Sequence, residues 1–163
     1  MDNPYYEKLV NAALRFVSYR PRSERELSDF LTKKLSKWKM SGTLLIEKVV
    51  ERMRDLGYVD DRKFIAWWVE QRASFRPKGK RALGSELRGK GIPATLIEEA
   101  FDDPSAAQFD EYESAQKVIL KKTTVWAKMP KIEQKKKVYT FLAARGFSFE
   151  IISRIIDELV KKD

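Results

Sequence analysis

The sequence predicts an all-α protein: three tandem three-helix units forming an elongated, curved modular array. Hydrophobic residues recur with a period near 3.6, proline and glycine divide that pattern into nine segments, and part of the pattern repeats along the chain. The sequence has no sustained alternation of apolar and polar residues and no Asn-Gly or Asp-Gly turn, so strand signals are absent. We expect the units at residues 1–58, 59–103 and 104–163.

The first unit contains three predicted helices with recognisable ends. Asn3 caps the first helix, which ends before Pro21 because the residue preceding a proline disfavours the α conformation. Ser23 and Glu26 form a capping box that begins the second helix. The third helix is predicted over about residues 43–57.

The second unit repeats this organisation. Asp60 is the predicted cap of a fourth helix, which Pro77 breaks. A fifth helix ends near Gly89, and a short sixth helix begins at Pro93. The run Asp102–Ser105 is the predicted boundary to the third unit.

The third unit is predicted to contain helices seven to nine. The seventh spans about residues 105–127, and the eighth runs from Pro130 to Gly146. The ninth carries an apolar face of Ile151, Ile152, Ile155, Ile156 and Leu159.

Two stretches of sequence repeat. RPRSERELSDFL begins at Arg20 and RPKGKRALGSEL begins at Arg76, 56 positions later, so that Leu31 aligns with Leu87. GIPATLIEEAF from Gly91 resembles GFSFEIISRII from Gly146, 55 positions later. Repeated supersecondary units indicate a modular array in which each unit buries its apolar face partly against its neighbours.

The basic residues recur with the repeat. The chain has 33 Lys and Arg against 24 Asp and Glu, and basic clusters lie over residues 20–39, 72–91 and 131–145. If the units stack regularly, these clusters form one stripe that matches a repetitive polyanion such as a phosphate backbone or a filament groove; ordinary solvated helix faces are the alternative. The basic residues that we expect to bind a partner or nucleic acid are Arg20, Arg22, Arg25, Lys33, Lys34, Arg72, Arg76, Lys78, Lys80, Arg81, Arg88, Lys90, Lys135 and Lys136.

Trp67 and Trp68 are possible interface aromatics. Adjacent residues on a helix differ by about 100° in direction, so they cannot share one stripe. One is expected to fill the core with Phe64, and the other to be partly exposed and available to stack on a base or anchor a protein interface. Core packing of both is the alternative.

The composition argues against an enzyme. The chain has no histidine and no cysteine, so the usual general base near neutral pH and the commonest metal ligands are missing. The paired carboxylates Asp60–Asp61 and Asp102–Asp103 suit helix capping better than a two-metal nuclease. We therefore predict no catalytic residues, no metal site and no cofactor. The absence of an 18-residue apolar run and of a signal peptide predicts a cytoplasmic protein that does not bind membranes.

Three phrases resemble the RecX regulatory family. They are Ser18–Glu24 (SYRPRSE), Leu56–Phe64 (LGYVDDRKF) and Phe75–Lys80 (FRPKGK), and they stand in the family's order and spacing. Leu83, Glu86, Leu87 and Gly91–Ile92 continue the resemblance. It covers about residues 9–101, whereas residues 105–163 resemble the family only in helix pattern and in the phrase Gly146–Ser148.

The resemblance implies a function. Members of this family bind the RecA recombinase on single-stranded DNA, lie in the filament groove, and usually inhibit recombination and DNA-dependent ATP hydrolysis without catalysis of their own. The resemblance thus implies a monomeric regulator of RecA in DNA recombination, DNA repair and the SOS response, with direct contact to single-stranded DNA and weaker duplex binding. The rival hypothesis is an autonomous DNA-binding protein that uses its three-helix units as helix-turn-helix readers. A metal-dependent nuclease is a distant third.

Overall fold

The computed structural model describes residues 3–103 and 109–162 of the 163-residue chain. Within those ranges lie nine α-helices and no strand, as the sequence predicts. None of these helices is long and apolar enough to cross a membrane. The helices are α1 (Pro4–Tyr19), α2 (Glu24–Lys37), α3 (Thr43–Asp55), α4 (Asp61–Phe75), α5 (Lys80–Gly89), α6 (Ala94–Asp102), α7 (Glu111–Trp126), α8 (Lys131–Ala144) and α9 (Phe149–Lys161). We call α1–α3 set 1, α4–α6 set 2 and α7–α9 set 3.

The predicted helix starts are confirmed by their capping hydrogen bonds. Asn3 Oδ1 accepts from the Tyr5 amide at 3.0 Å. Ser23 and Glu26 form the complete capping box of α2, and Asp60 Oδ1 accepts from the Arg62 amide at 2.9 Å. The seventh helix, predicted from about residue 105, begins at Glu111 in the described part of the chain. Residues 104–108, which include part of the predicted boundary between the second and third units, lie outside the described residues.

Contacts divide the chain into two compact units. The first consists of Met1–Trp67 and Leu87–Ala100, and the second of Trp68–Glu86 and Phe101–Asp163. Set 1 lies wholly in the first unit, while the helices of set 2 contribute to both. The predicted domain limits at residues 1–58, 59–103 and 104–163 stay a prediction.

Each compact unit has its own apolar core. In the first unit α1, α2 and α3 pack against one another in pairs, and in the second unit α7, α8 and α9 do the same. The core of set 1 includes Leu9, Ala13, Leu27, Leu31, Val49 and Met53, all fully buried. The core of set 3 includes Ala115, Ile119, Val138, Leu142, Ile152 and Ile155. These positions follow the helical periodicity read from the sequence.

The junction between sets 1 and 2 lies within the first compact unit. The buried Ser23 hydroxyl donates to the Lys90 carbonyl at 2.7 Å, and the Glu24 amide donates to Asp61 Oδ1 at 3.0 Å. Gly91, at φ 81°, brings its backbone against the aliphatic part of Arg25, where a Cβ atom would lie 2.1 Å from Arg25 Cδ. The start of α2 is therefore held by the first residue of α4 and by the turn between α5 and α6.

The junction between sets 2 and 3, within the second compact unit, uses equivalent positions. The Gly79 amide donates to the Arg145 carbonyl at 2.9 Å, and the Lys80 amide donates to Glu111 Oε1 at 3.2 Å. Gly146 has φ 80°, and a Cβ atom there would lie 2.4 Å from Ala82 Cβ. In both junctions the start of a second helix contacts the first helical residue of the next set and the glycine turn of that set. The two junctions therefore have the same arrangement.

The turn after the second helix also recurs. The amides of Met40, Ile92 and Phe147 donate to the carbonyls of Leu35, Leu87 and Leu142, respectively. The residue before each of these amide donors has positive φ: Lys39 at 55°, Gly91 at 81° and Gly146 at 80°. Leu35 therefore takes the place of Leu87 in this turn, although counting from the helix start aligns Leu31 with Leu87. The difference of four residues is one extra turn at the end of α2.

Candidate polyanion-binding surface

Glu26 holds two of the basic residues that the sequence assigns to partner binding. Its Oε1 lies 2.8 Å from Arg20 Nη2 and 3.3 Å from Lys90 Nζ, and its Oε2 accepts from the Ser23 amide at 3.0 Å. Burial alone would raise the pKa of Glu26, but the hydrogen bonds from Arg20, Ser23 and Lys90 bring it below its ordinary value. Arg20 and Lys90 therefore stabilise the first compact unit, and a phosphate would have to compete with Glu26 for them.

Glu86 likewise binds two of the predicted basic residues in the second compact unit. Its Oε2 accepts from Arg72 Nε at 3.0 Å and from Trp68 Nε1 at 2.9 Å, while its Oε1 forms an ion pair with Lys78. Burial works to raise the pKa of Glu86, and the hydrogen bonds from Lys78 and Trp68 together with the charge of Arg72 lower it overall. Arg72 and Lys78 are consequently held in the structure by a single carboxylate.

Arg22 and Lys34 lie over aromatic rings. The guanidinium carbon of Arg22 is 3.9 Å from the centroid of Phe16, and its Nε donates to the Phe16 carbonyl at 3.2 Å. Lys34 Nζ lies 5.4 Å from the centroid of Phe30, which is itself stacked on Phe16 at 4.1 Å. Burial, followed by the charge of Arg20, lowers the pKa of Arg22. Both cations thus extend the apolar packing of set 1 while keeping their charge at its surface.

The other predicted basic residues are exposed. Each lies on the second helix of its set or in the turn beside that helix: Arg25, Lys33, Arg76, Lys80, Arg81, Arg88, Lys135 and Lys136. Arg81 Nη2 also donates to the Ala143 carbonyl at 3.0 Å while remaining exposed. These charges are the ones that a polyanion could reach without displacing a carboxylate.

Exposed basic residues on the second helices of the three sets are related by the repeat offsets. Arg25 and Arg81 are 56 positions apart, and Arg81 and Lys136 are 55 positions apart, which are the two offsets of the sequence repeat. Arg25 and Arg81 each follow by two positions the residue that precedes their helix, Ser23 and Gly79, respectively. The second helix of each set therefore carries an exposed cation. Arg25 and Arg81 are the second residues of their helices, whereas Arg81 and Lys136 each stand ten residues before a glycine of positive φ.

Trp67 and Trp68 are both partly buried. The Trp67 ring lies 5.8 Å from the ring of the buried Phe64, and the guanidinium of Arg20 lies 5.7 Å from the Trp67 centroid. Trp68 donates its indole N–H to Glu86 and lies 4.8 Å beneath the Arg72 guanidinium. Trp67 therefore takes the place beside Phe64 that the sequence assigns to one of the pair, and Trp68 belongs to the Glu86 cluster.

Sequence reasoning missed two sets of residues in or beside the predicted basic clusters. Glu26 was recognised only as a cap and Glu86 only as part of a family phrase, because their cationic partners cannot be read from local spacing. Tyr19 and Phe75, the last residues of α1 and α4, are 84% and 79% exposed. Their separation of 56 positions is the signal that could have identified them as a pair.

Asp60 and Asp61, two of the carboxylates considered for a nuclease, hold the starts of helices. Asp60 caps α4, Asp61 accepts from the Glu24 amide of α2, and Asp102 is the last residue of α6. Burial, followed by the charges of Glu24 and Asp60, raises the pKa of Asp61, although the hydrogen bond from the Glu24 amide opposes this. In residues 3–103 and 109–162 there is no group of three carboxylate, histidine or cysteine side chains that could hold a metal ion.

Family models match the chain in three consecutive segments. The first three-helix domain of RecX matches residues 10–35, the second matches residues 60–100, and the third matches residues 110–156. The third match lies in the part of the chain that, from the sequence alone, resembles the family only in helix pattern and in the phrase Gly146–Ser148.

Curated relatives are similar over most of this chain. The regulatory protein RecX of Bacillus subtilis is 34% identical over 153 residues, which are 94% of this chain and 55% of the relative. This chain therefore spans about half the length of that relative. The regulatory protein RecX of Chlorobium phaeobacteroides is 32% identical over 155 residues, which are 95% of each protein.

Two solved structures share the fold. The crystal structure of RecX from Lactobacillus salivarius superimposes with a TM-score of 0.79 at 24% identity and covers 94% of this chain and 96% of that one. A crystal structure of a regulatory protein RecX gives a TM-score of 0.72 at 27% identity and covers 93% and 73%, respectively. The three domain matches, in order along one chain, and the near full-length relative above 30% identity show that this chain belongs to the RecX family of regulatory proteins.

Proposed function

We propose that this chain binds the RecA recombinase–single-stranded DNA filament and modulates its recombination and ATPase activities, with inhibition as the expected sign. Its family membership supports a regulatory role, and its relatives carry the name of a regulatory protein. In this proposal the chain acts as a cytoplasmic monomer, without a cofactor or a catalytic step, and contacts both the recombinase and its DNA.

The observation that carries the proposal is the recurring exposed cation at Arg25, Arg81 and Lys136. A filament presents the same acidic and phosphate groups at regular intervals, so a ligand with one cation in each repeated set is chemically matched to it. Neighbouring exposed residues add charge to this position in set 2 (Arg76, Lys80 and Arg88) and in set 3 (Lys135). These exposed residues form the proposed contact surface. The other members of the predicted basic group that pair with Glu26 or Glu86 would join it only by leaving those carboxylates.

A titration into recombinase filaments tests the proposal. Wild-type chain is added to RecA on single-stranded DNA while ATP hydrolysis is followed, and the rate is expected to fall to a plateau. The triple variant Arg25→Gln, Arg81→Gln, Lys136→Gln removes the recurring charge but keeps long side chains, including the one that packs against Gly91. It is expected to need at least tenfold more protein for half-maximal inhibition, the cost of about 1.4 kcal/mol of binding free energy.

The matched control removes three exposed lysines elsewhere, as Lys48→Gln, Lys63→Gln, Lys161→Gln. Its net charge equals that of the triple variant, so general electrostatic attraction falls equally in both. If both triple variants inhibit equally well, the recurring position has no special role. If wild-type chain leaves ATP hydrolysis unchanged and binds duplex DNA as tightly as filaments, the autonomous DNA-binding hypothesis replaces this one.

A further inference from the structure

Tyr19 and Phe75 are the two most exposed aromatic residues in the part of the chain that the structure describes, with 84% and 79% of their surface accessible. Each is the last residue of the first helix of its set. Each is followed by the same pattern, Arg-Pro-Arg after Tyr19 and Arg-Pro-Lys after Phe75. A single exposed aromatic residue needs no explanation, but two at the same repeat position share a cause.

Both rings stand in basic stretches of the sequence. No acidic residue lies within four positions of Tyr19 or Phe75 in the sequence. Arg15 and Arg22 flank Tyr19, and Arg76 follows Phe75, while Arg72 and Lys78 near Phe75 are already paired with Glu86. The centre of a protein–protein interface is typically depleted in charge and packed with further apolar groups, so these surroundings favour a nucleic acid over a protein.

The backbone fixes the point at which each ring is attached. The ring is attached to the last turn of a helix of 15 or 16 residues, and a proline fixes the chain two residues later. Among the described residues, neither ring packs against another ring or beneath a cation. A flat π-face is therefore open beside positive charges, which is the combination that binds an unpaired nucleobase and its phosphate.

We infer that Tyr19 and Phe75 are base-stacking residues, each taking one unpaired nucleobase of a single strand, with the neighbouring arginines on its phosphates. The inference rests on the part of the proposed function that brings this chain onto single-stranded DNA. It assigns the direct DNA contact to the ends of α1 and α4, separately from the recurring cation on the second helices. Set 3 lacks this site, because Lys128 and Met129 precede Pro130 where an aromatic residue and Arg precede Pro21 and Pro77.

The test compares two labelled oligomers of equal length at low salt by fluorescence anisotropy: oligothymidylate, and an abasic strand with the same number of phosphates. Wild-type chain is expected to bind oligothymidylate more tightly. Tyr19→Ala and Phe75→Ala are each expected to lower that affinity about tenfold and to leave binding to the abasic strand unchanged. Tyr19→Phe should bind like wild type, since stacking uses the ring face.

Phe149→Ala is the matched control. Phe149 is 72% exposed at the start of α9 but stands outside the repeated pattern, so its loss should change neither affinity. Equal wild-type affinity for the two oligomers, or no binding to oligothymidylate at all, overturns the inference. Inhibition of recombinase ATP hydrolysis by the same wild-type protein would leave the proposed function standing in that case. Loss of inhibition by Tyr19→Ala and Phe75→Ala with unchanged oligomer affinities would assign both rings to a protein contact and also overturn the inference.

Discussion

The Nε atom of Arg72 lies 3.0 Å from Oε2 of Glu86, at the repeat positions where set 1 places the stacked rings of Phe16 and Phe30. Both pairs join the end of a first helix to the middle of a second helix, and each member is 56 positions from its equivalent. Set 3 has two rings close to these positions: Trp126 and Phe141, which stand 54 and 55 positions after Arg72 and Glu86, lie 5.7 Å apart in an edge-to-face arrangement. An aromatic pair therefore joins the first and second helices in sets 1 and 3, and an ion pair joins them in set 2.

Neutralising Glu86 should therefore destabilise the protein more than neutralising an exposed carboxylate. Glu86→Gln weakens the hydrogen bonds from Arg72, Lys78 and Trp68, and we expect a loss of about 1–3 kcal/mol in the free energy of unfolding at pH 7. Glu99→Gln, which breaks the exposed ion pair with Arg62, should cost under about 1 kcal/mol. Urea unfolding of both variants measures the difference.

The cost of Glu86→Gln should depend on pH with a defined sign. Because the folded pKa of Glu86 is below its ordinary value, the charged carboxylate contributes stability above the unfolded pKa. That contribution is lost as the pH falls through the folded pKa. Wild type and Glu86→Gln should therefore converge in acid, and a difference that stayed constant down to the folded pKa would contradict the assignment.

The helix ends could be predicted from the sequence, whereas the charge clusters could not. Capping at Asn3, Ser23 and Asp60 depends on residues two or three positions apart, so local chemistry is sufficient. Glu26, in contrast, is joined to Lys90, which lies 64 positions away, and only the packing of set 2 on set 1 brings them together. The predicted basic stripe therefore includes residues that already form ion pairs with carboxylates of this protein.

The repeat alignment shows a second limit of sequence reasoning. Leu31 and Leu87 align at the offset set by Pro21 and Pro77, and nothing in the local sequence reveals the extra turn in α2. The turn that contains Gly91 and Gly146 is easy to recognise in sets 2 and 3 because glycine favours positive φ. In set 1 the same conformation is adopted by Lys39, at φ 55°, so the sequence carries no glycine to mark it.

Asp61 should respond to substitution in the opposite sense to Glu86. Its pKa is raised above the ordinary value, so the folded protein loses stability as the pH rises through the window between the unfolded and folded pKa values. Asp61→Asn keeps an oxygen that can accept from the Glu24 amide but removes the buried charge. At pH 7 the free energy of unfolding should be unchanged or higher than in wild type.

Asp61→Ala is the comparison for this prediction, because it also removes the acceptor. It should lower the free energy of unfolding by about 1 kcal/mol, as loss of a helix cap does. Thermal unfolding of both variants at pH 7 separates the two effects. If Asn were as destabilising as Ala, the carboxylate charge rather than the hydrogen bond would be holding the start of α2.

The two glycines at the ends of the second helix of set 2 should differ sharply. A Cβ atom on Gly79 would lie 2.3 Å from the Gly146 carbonyl oxygen, so Gly79→Ala must displace backbone at the junction of sets 2 and 3. We expect it to cost about 1–3 kcal/mol. Gly89 is the last residue of α5 with nothing within 4 Å of a Cβ atom, so Gly89→Ala should stabilise the protein by up to about 1 kcal/mol. Equal effects in urea unfolding would mean that the close approach at Gly79 is absent in solution.

The last prediction separates phosphate contacts from protein contacts by their dependence on salt. Phosphate contacts alone release counterions, so the logarithm of the binding constant for single-stranded DNA should fall with the logarithm of salt concentration, with a slope of about −0.7 per phosphate neutralised. Apolar and hydrogen-bonded contacts to a recombinase are screened less by salt. We therefore expect a steep slope on bare single-stranded DNA and a shallower one on the recombinase filament.

Anisotropy across a salt series on both targets measures these slopes. Replacing Arg81 by Gln should reduce the magnitude of the slope on bare DNA by about 0.7 if its exposed guanidinium meets one phosphate. Glu113→Gln, on the exposed face of α7, is a control that changes net charge by one unit without removing a cation. Equal slopes and equal affinities on the two targets would mean that the filament offers this chain nothing beyond its DNA. The recurring cations would then belong to an autonomous DNA-binding protein.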